Sequence, residues 1–396
     1  MKSGLKGITT RSKAIEPRMT SHSTHKGPQI RCTNCARPYE MQGVPYLCPA
    51  CGGVYDFDGP PVFFPGSLEP GQPGMWRYRH AFGLPENAPV VSLGEGSTPL
   101  IPQQLQGKTI WLKLESLNPT GSYKDRGSAV LLSQLAARGV QQAVEDSSGN
   151  AGASFAAYAA RTGINARVYV PESASGPKRG QIEAYGAELV AVQGPRSAAA
   201  EAVLADVRQG AVYASHAYLP FGLAGIATIA YEIYEQLGAN GLSAGSVIAP
   251  VGHGGLLLGL MRGFEALARA GLIEKEPYYA GVQARACAPV WAGYTEGMAA
   301  DMPVEEGTTA AEGVRVSRPV RARAILNRIG GKQGRSKGCI LAVDEADILP
   351  AYHELARSGV HVEPTSALVW AALKNNLDQF PEPVVLILSG AGLKYL

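Results

Sequence analysis

From about residue 92 onward the chain alternates short apolar runs with longer stretches of helical period. The runs at 110–114, 167–170, 188–192, 246–249, 278–282 and 384–388 have the length and the apolar content of buried strands. Between them lie helical patterns. Residues 125–138 carry Val130, Leu131 and Leu135 on one face, with Asp125 in the first turn and Gly139 after the last. An alanine-rich stretch ends at Gly163, and an apolar one runs from a glycine-rich turn at 249–259 to about Ala270. Strands alternating with helices in this way predict parallel sheets covered on both faces, an α/β fold. A chain of 396 residues is too long for one core, so two α/β subdomains are expected. A ligand between them would lie at the carboxyl ends of the strands. No internal repeat is visible.

The first ninety residues follow no such pattern. Residues 1–30 are rich in Lys, Arg, Ser and Thr, with Glu16 as the sole acid, and read as a disordered tail or as an imitation of an organelle transit peptide. Cys32, Cys35, Cys48 and Cys51 then form two CxxC pairs. Two such knuckles offer four thiolates in the tetrahedral arrangement of a structural zinc site, with no open position for catalysis. A zinc ribbon is therefore expected over 31–56, folded by its metal because so small a module has no core of its own. Residues 57–90, dense in Pro, Gly and aromatics, read as a linker wrapping onto a body that spans 91–396, with the smaller subdomain at about 128–235.

Only two of the six cysteines lie outside the ribbon, so cysteine is not used as a disulfide framework, which points to a reducing, cytoplasmic setting. No stretch is long and apolar enough to span a membrane. A net charge of +3 makes no case for nucleic-acid binding.

The candidate chemistry begins at NPTGSYKDRG, 118–127. Asn118, Pro119 and Gly121 are turn residues, so Lys124 sits where a turn becomes a helix. A lysine there opposes the helix dipole, which favours losing its proton or being masked as an imine. The loop EDSSGN, 145–150, opens the alanine-rich helix and exposes free N–H groups suited to a carboxylate, although Ser148 or Asn150 would also serve as an ordinary N-cap. The turn APVGHGGLLLG, 249–259, joins a strand to a helix as a phosphate cradle does. A final strand runs into Ser389 and a Gly-x-Gly turn.

Together, and in this order, these segments resemble threonine synthases of the fold type II pyridoxal phosphate (PLP) enzymes, along with SLGEGSTPL at 92–100, LKLE at 112–115 and VEPTSALVWAAL at 362–373. The resemblance covers roughly 92–394. It implies two doubly wound parallel-sheet subdomains with PLP between them and Lys124 as the residue that holds the cofactor and then serves as base and acid. It places Asn150 beside the ring near its 3-hydroxyl, Ser147, Ser148 and Gly149 on the substrate carboxylate, Gly252, His253, Gly254 and Gly255 at the cofactor phosphate, and Ser389 at the pyridine nitrogen. For His253, stacking near the cofactor and simple exposure both stay open. Glu363 is either a ring-facing carboxylate or an acid preceding a helix, the second being slightly preferred. Some threonine synthases also carry an N-terminal zinc ribbon, and a homodimer is the default for the family.

One segment departs from the pattern. Threonine synthases carry a stretch close to NSxNPxRxEGQKT, whose Asn, Ser and Arg grip the phosphate of O-phosphohomoserine. Here it reads HAYLPFGLAGIAT: His216, Ala217, Leu219, Gly222 and Ala227 replace the polar partners, and Ala151 stands where a threonine is usual. Each lost charge-assisted contact would cost about 1.5–3 kcal/mol. The expected activity is thus β- or γ-elimination or replacement on a small amino acid, with serine or threonine ammonia release as one version. The alternatives are an authentic threonine synthase with a relocated phosphate site, and a non-catalytic zinc-ribbon scaffold. The scaffold is disfavoured because Lys124, Asn150, the glycine loop and Ser389 all stand.

Overall fold

A computed structural model describes residues 28–40, 42–147, 149–172, 176–194, 196–299, 302–329 and 336–395. Most of the expected tail and the candidate Ser148 lie outside these residues. The first described elements are β1 (Ile30–Cys32) and β2 (Tyr55–Phe57), an antiparallel pair that brackets the four cysteines. Residues 57–90 contain short 3-10 turns that bury Met75, Trp76, Tyr78 and Phe82 completely. Trp76 donates its indole N–H to the buried Glu95 carboxylate at 2.5 Å, so the aromatic segment is fixed to the body by a satisfied polar contact as well as by packing.

The body begins with β3 (Leu100–Leu105) and β4 (Lys108–Lys113), then α1 (Lys124–Ala137), β5 (Gln142–Glu145), α2 (Asn150–Thr162) and β6 (Asn165–Pro171). It continues with α3 (Pro177–Ala184), β7 (Glu188–Val192), α4 (Arg196–Arg208), β8 (Val212–Tyr213), α5 (Gly222–Gly238), β9 (Ser246–Pro250) and α6 (Gly255–Arg269). Last come β10 (Tyr278–Ala284), α7 (Pro289–Thr295), α8 (Ala322–Ile329), β11 (Gly338–Val343), α9 (Glu345–Arg357), α10 (Pro364–Lys374) and β12 (Val384–Ile387).

Two sheets result. One has the order β7-β6-β5-β8 and is wholly parallel; the other has the order β11-β10-β9-β12-β4-β3 and is parallel except at its edge. The α/β class with parallel sheets is therefore as the alternating pattern predicts, and the strand runs at 167–170, 188–192, 246–249, 278–282 and 384–388 all coincide with observed strands, the last extending one residue beyond β12. The exception is the antiparallel β3–β4 hairpin, which the pattern did not foretell. Its two-residue turn, Gln106 and Gly107, has positive φ at both positions, 49° and 80°, the type I′ geometry for which asparagine rather than glutamine is the usual signal.

One apolar cluster runs through both sheets, and α1, α5 and α6 pack side by side within it. Inside this contact lies a buried charge cluster. Arg126 is fully enclosed between Glu115 and Glu232, with nitrogen–oxygen distances of 2.7 Å to each, and Lys113 reaches Glu232 at 2.7 Å. Burial pushes the Glu232 carboxyl up, but Arg126 and Lys113 outweigh it and hold the group well below the usual range. The cluster fixes β4, α1 and α5 to one another close to Lys124 in the chain. Among the described residues no helix is long and apolar enough to cross a membrane.

Candidate active site

The central strands of the larger sheet run in the order β9-β12-β4, so the loops at their carboxyl ends emerge side by side. β9 leads into the Gly252–Gly255 turn, β12 into Ser389, and β4 into the turn before Lys124. From the smaller sheet, β5 leads into Ser147, Gly149 and Asn150. All four candidate segments therefore stand at strand carboxyl ends, where α/β folds place ligands.

Lys124 is the first residue of α1, and its Nζ donates to the Tyr123 hydroxyl at 2.6 Å. Two neighbours in the same motif hold it there. Arg126 belongs to the buried charge cluster, and Asp125, also buried, accepts from the Thr120 N–H, the Thr120 hydroxyl and the Ser154 hydroxyl at 2.7, 2.6 and 2.7 Å. Asp125 thus ties the turn to α2 rather than merely facing the helix dipole. Burial pushes its carboxyl up to about 6, against the opposing pull of these donors.

Ser389 is joined to the lysine turn through the backbone: Tyr123 N–H donates to the Ser389 carbonyl at 3.0 Å, and Ser122 pairs with Gly390. The Ser389 hydroxyl lies 3.2 Å from that of Ser366 in α10. Asn150 begins α2 and donates its side-chain amide to both Glu363 oxygens, at 2.9 and 3.0 Å. Glu363 is the N-cap residue of α10, as the preferred helix-start reading has it, but its side chain makes no cap hydrogen bond and turns to Asn150 instead. Gly390 makes this approach possible. A Cβ there would fall on the Glu363 carboxylate and 3.0 Å from the Asn150 amide.

Gly254 adopts φ 94° as the N-cap of α6, and a Cβ on Gly252 would meet the Gly313 carbonyl at 2.8 Å. The turn is thus a closely wrapped cradle in front of a 15-residue helix, the geometry that suits a phosphate. Ser147 is buried, and its hydroxyl accepts the Gly149 N–H at 3.3 Å. Ser148, the third expected carboxylate binder, lies outside the described residues.

One cavity joins the lysine turn and the glycine turn to the altered segment: Lys124, Ser128, His216, Leu219, Gly222 and His253 all line it. His216 follows β8, and its Nδ1 lies 2.9 Å from the buried Glu145 carboxylate at the end of β5. The His216 and His253 rings meet edge to face at 5.7 Å, which places His253 beside the cavity rather than leaving it as a surface group. Leu219 and Gly222 present no charge to this space. Gly222 also packs on Gly127, whose backbone a Cβ would meet at 3.1–3.3 Å, so α1 and α5 are too close here for a long side chain without some separation.

Two polar atoms at the site bear on whether a cofactor fits. Asn150 Oδ1 and Ser122 Oγ are buried without a hydrogen-bond partner, although buried polar atoms are nearly always paired. With the glycine cradle and Lys124, they match a phosphorylated aldehyde bearing ring hydroxyl and nitrogen groups. Ser122, Tyr123 and Ser366 were not singled out from the sequence. Ser122 and Tyr123 stand beside Lys124 within its motif, and Ser366 lies inside the segment 362–373.

Away from this site, the four cysteine sulfurs lie within 4.8 Å of one another, with Cys32–Cys51 at 3.5 Å and Cys35–Cys48 at 3.7 Å. Zinc–sulfur bonds of about 2.3 Å make tetrahedral sulfur–sulfur edges of about 3.8 Å, so the cluster could hold such an ion.

The chain is similar to known proteins over most of its length. The model of a family described as pyridoxal-phosphate dependent enzyme matches residues 91–390. The threonine synthase of Methanocaldococcus jannaschii is 33% identical over 92% of this chain and 92% of its own length. That of Mycobacterium tuberculosis is 35% identical over 80% and 87%. Among solved structures, a threonine deaminase from T.th. superposes with a TM-score of 0.63 at 32% identity, over 74% of this chain and 92% of that one.

Proposed function

Because the chain belongs to the pyridoxal-phosphate dependent enzyme family, we propose that this threonine synthase-like lyase removes or exchanges an uncharged β or γ substituent on a small amino acid. One observation carries the choice of substituent: the cavity that Lys124 lines is walled by Leu219 and Gly222, where threonine synthases place phosphate ligands.

In this reading PLP, when bound, supplies an electron sink for charge developing at the substrate α-carbon. Lys124 Nζ holds the cofactor, then takes the α-proton and returns a proton later in the cycle. The Tyr123 hydroxyl orients that nitrogen. The turn Gly252, His253, Gly254 and Gly255 receives the cofactor phosphate, Asn150 stands at the ring hydroxyl, and Ser389 offers the ring nitrogen a neutral hydroxyl. A neutral partner does not hold that nitrogen protonated as a carboxylate would, which suits elimination and replacement. Ser147, Ser148 and Gly149 take the substrate carboxylate, and His216, backed by Glu145, is a polar group of the cavity that faces the departing substituent.

Cys32, Cys35, Cys48 and Cys51 are assigned to a structural zinc ion within a ribbon over 31–56. A homodimer and a cytoplasmic site of action complete the proposal.

A second reading, an authentic threonine synthase, is favoured by the identity of 33% across 92% of both chains. Phosphate release separates the two. PLP-loaded protein and a Lys124→Ala control are offered O-phosphohomoserine, then L-serine and L-threonine. Phosphate release that vanishes in the control overturns the uncharged-substituent reading; 2-oxoacid and ammonia from the hydroxy amino acids, without phosphate release, support it.

A further inference from the structure

The ribbon does not sit apart from the cavity. Asp56 in β2 pairs with Arg262 of α6 at 2.7 Å, and Tyr46 meets Tyr213 and Tyr218 edge to face at 5.1 and 5.6 Å. Tyr39 packs on Phe221 at 5.3 Å, with the Arg138 guanidinium 5.3 Å from both rings. The ribbon therefore lies along residues 213–221, the segment that carries His216 and Leu219 into the cavity.

At the centre of this contact is Arg321, 3% exposed, immediately before α8. Its Nη1 donates to the Tyr55 carbonyl in β2 at 2.8 Å and lies 3.6 Å from the Asp56 carboxylate. Its Nε and Nη2 donate to the carbonyls of Ala217 and Tyr218 at 3.2 and 2.8 Å. Its own N–H donates to the His253 carbonyl at 3.0 Å, and its Cβ stands against Gly254. One buried residue thus touches the ribbon, the cavity wall and the phosphate cradle. A guanidinium can do this because its donors form a rigid planar fork, whereas an ammonium is a single point. Buried carbonyls left without a donor would otherwise destabilise the wall.

We propose that Arg321 is a positioning residue for the active site, fixing the 213–221 wall against the Gly252–Gly255 cradle, and that the ribbon is the third anchor of that arrangement. Ribbon integrity then governs the shape of the substrate cavity. This rests on the cavity being the PLP site, which is checked separately: failure of the unaltered protein to bind PLP covalently at Lys124 defeats that reading without reference to Arg321.

The test is hydrogen exchange of the PLP-loaded full chain, unaltered and as Arg321→Met, Arg321→Lys and Cys35→Ser, with cofactor retention followed by its visible absorption. Local opening raises exchange only where contacts are lost. Amides of 213–221 are expected to exchange at least about tenfold faster in Arg321→Met and in Cys35→Ser, with those of 252–258 also faster in Arg321→Met, while β6 and β12 stay within about twofold. Arg321→Lys should fall between Arg321→Met and the unaltered protein. Uniform acceleration across the chain would mean general destabilisation and would overturn the positioning role. Unchanged exchange at 213–221 in Arg321→Met and Arg321→Lys would overturn it as well. Unchanged exchange there in Cys35→Ser alone would overturn the link to the ribbon.

Discussion

Glu363 accepts the side-chain amide of Asn150 through both of its oxygens, although 213 residues separate them in the chain. The pair joins the start of α2, which packs on the smaller sheet, to the start of α10, which packs on the larger one. The amide hydrogens are thereby committed to Glu363, and the buried Asn150 Oδ1 has no partner within the protein, which in the proposed reading leaves it to accept from the ring hydroxyl of the cofactor.

Glu363→Gln tests this arrangement. The substitution keeps the shape but removes the charge and one acceptor, so the amide of Asn150 loses a charge-assisted contact worth about 1.5–3 kcal/mol. The expected result is weaker cofactor binding, by roughly tenfold to a hundredfold because Asn150 is no longer held in place, with a shifted visible absorption maximum and a melting temperature lowered by a few degrees. Titration of the apoprotein with PLP, read by absorbance, checks it.

Gly390→Ala approaches the same pair from the other side. The added methyl falls on Glu363 and Asn150, and overpacking of this kind costs about 1–3 kcal/mol. Asn150 should be displaced, with cofactor affinity and turnover falling together. An unchanged cofactor titration would show that the site yields where the structure has it rigid.

Glu232→Gln tests the buried charge cluster. It leaves Arg126 and Lys113 without their shared carboxylate, and breaking such a buried pair costs about 3–5 kcal/mol. The pH sign follows from the depressed folded pKa of Glu232. Its contribution is complete above the unfolded value of about 4.5 and is lost as pH falls through the lower folded value. Asp125, raised to about 6, acts in the opposite sense: the native state takes up its proton first, so this group favours folding as pH falls from about 6 towards 3.8. Denaturant unfolding from about pH 3 to 7 should show the Glu232 limb in the unaltered protein and a flatter profile in Glu232→Gln.

The sequence made the candidate site legible where it is contiguous. Lys124, Asn150, the glycine turn and Ser389 each sit within a short motif beginning or ending a recognisable element, so their order along the chain could be read directly. What could not be read are relations between distant positions. Arg126 in the lysine motif gives no sign that it will be enclosed by Glu115 and Glu232, and Arg321 lies in a stretch without any motif, yet it meets carbonyls at 55, 217 and 218. The β3–β4 turn was missed for a local reason: Gln106 adopts a positive φ that its side chain does not favour.

The altered wall supplies the last prediction. If Gly222 is replaced by arginine, the residue that threonine synthases carry there, the new Cβ meets the Gly127 backbone at 3.1–3.3 Å and α1 must move away from α5. That contact lies close to Lys124 in α1, so the cost of about 1–3 kcal/mol in stability should be accompanied by loss of turnover. Binding of O-phosphohomoserine should not improve, because Ala217, Leu219 and Ala227 still offer the phosphate no side-chain donor. A spectral titration of the PLP-loaded variant with O-phosphohomoserine, beside its thermal melt, checks both halves. Tight phosphate-dependent binding with an undiminished melting temperature would show that this one position decides between a phosphorylated and an uncharged substrate.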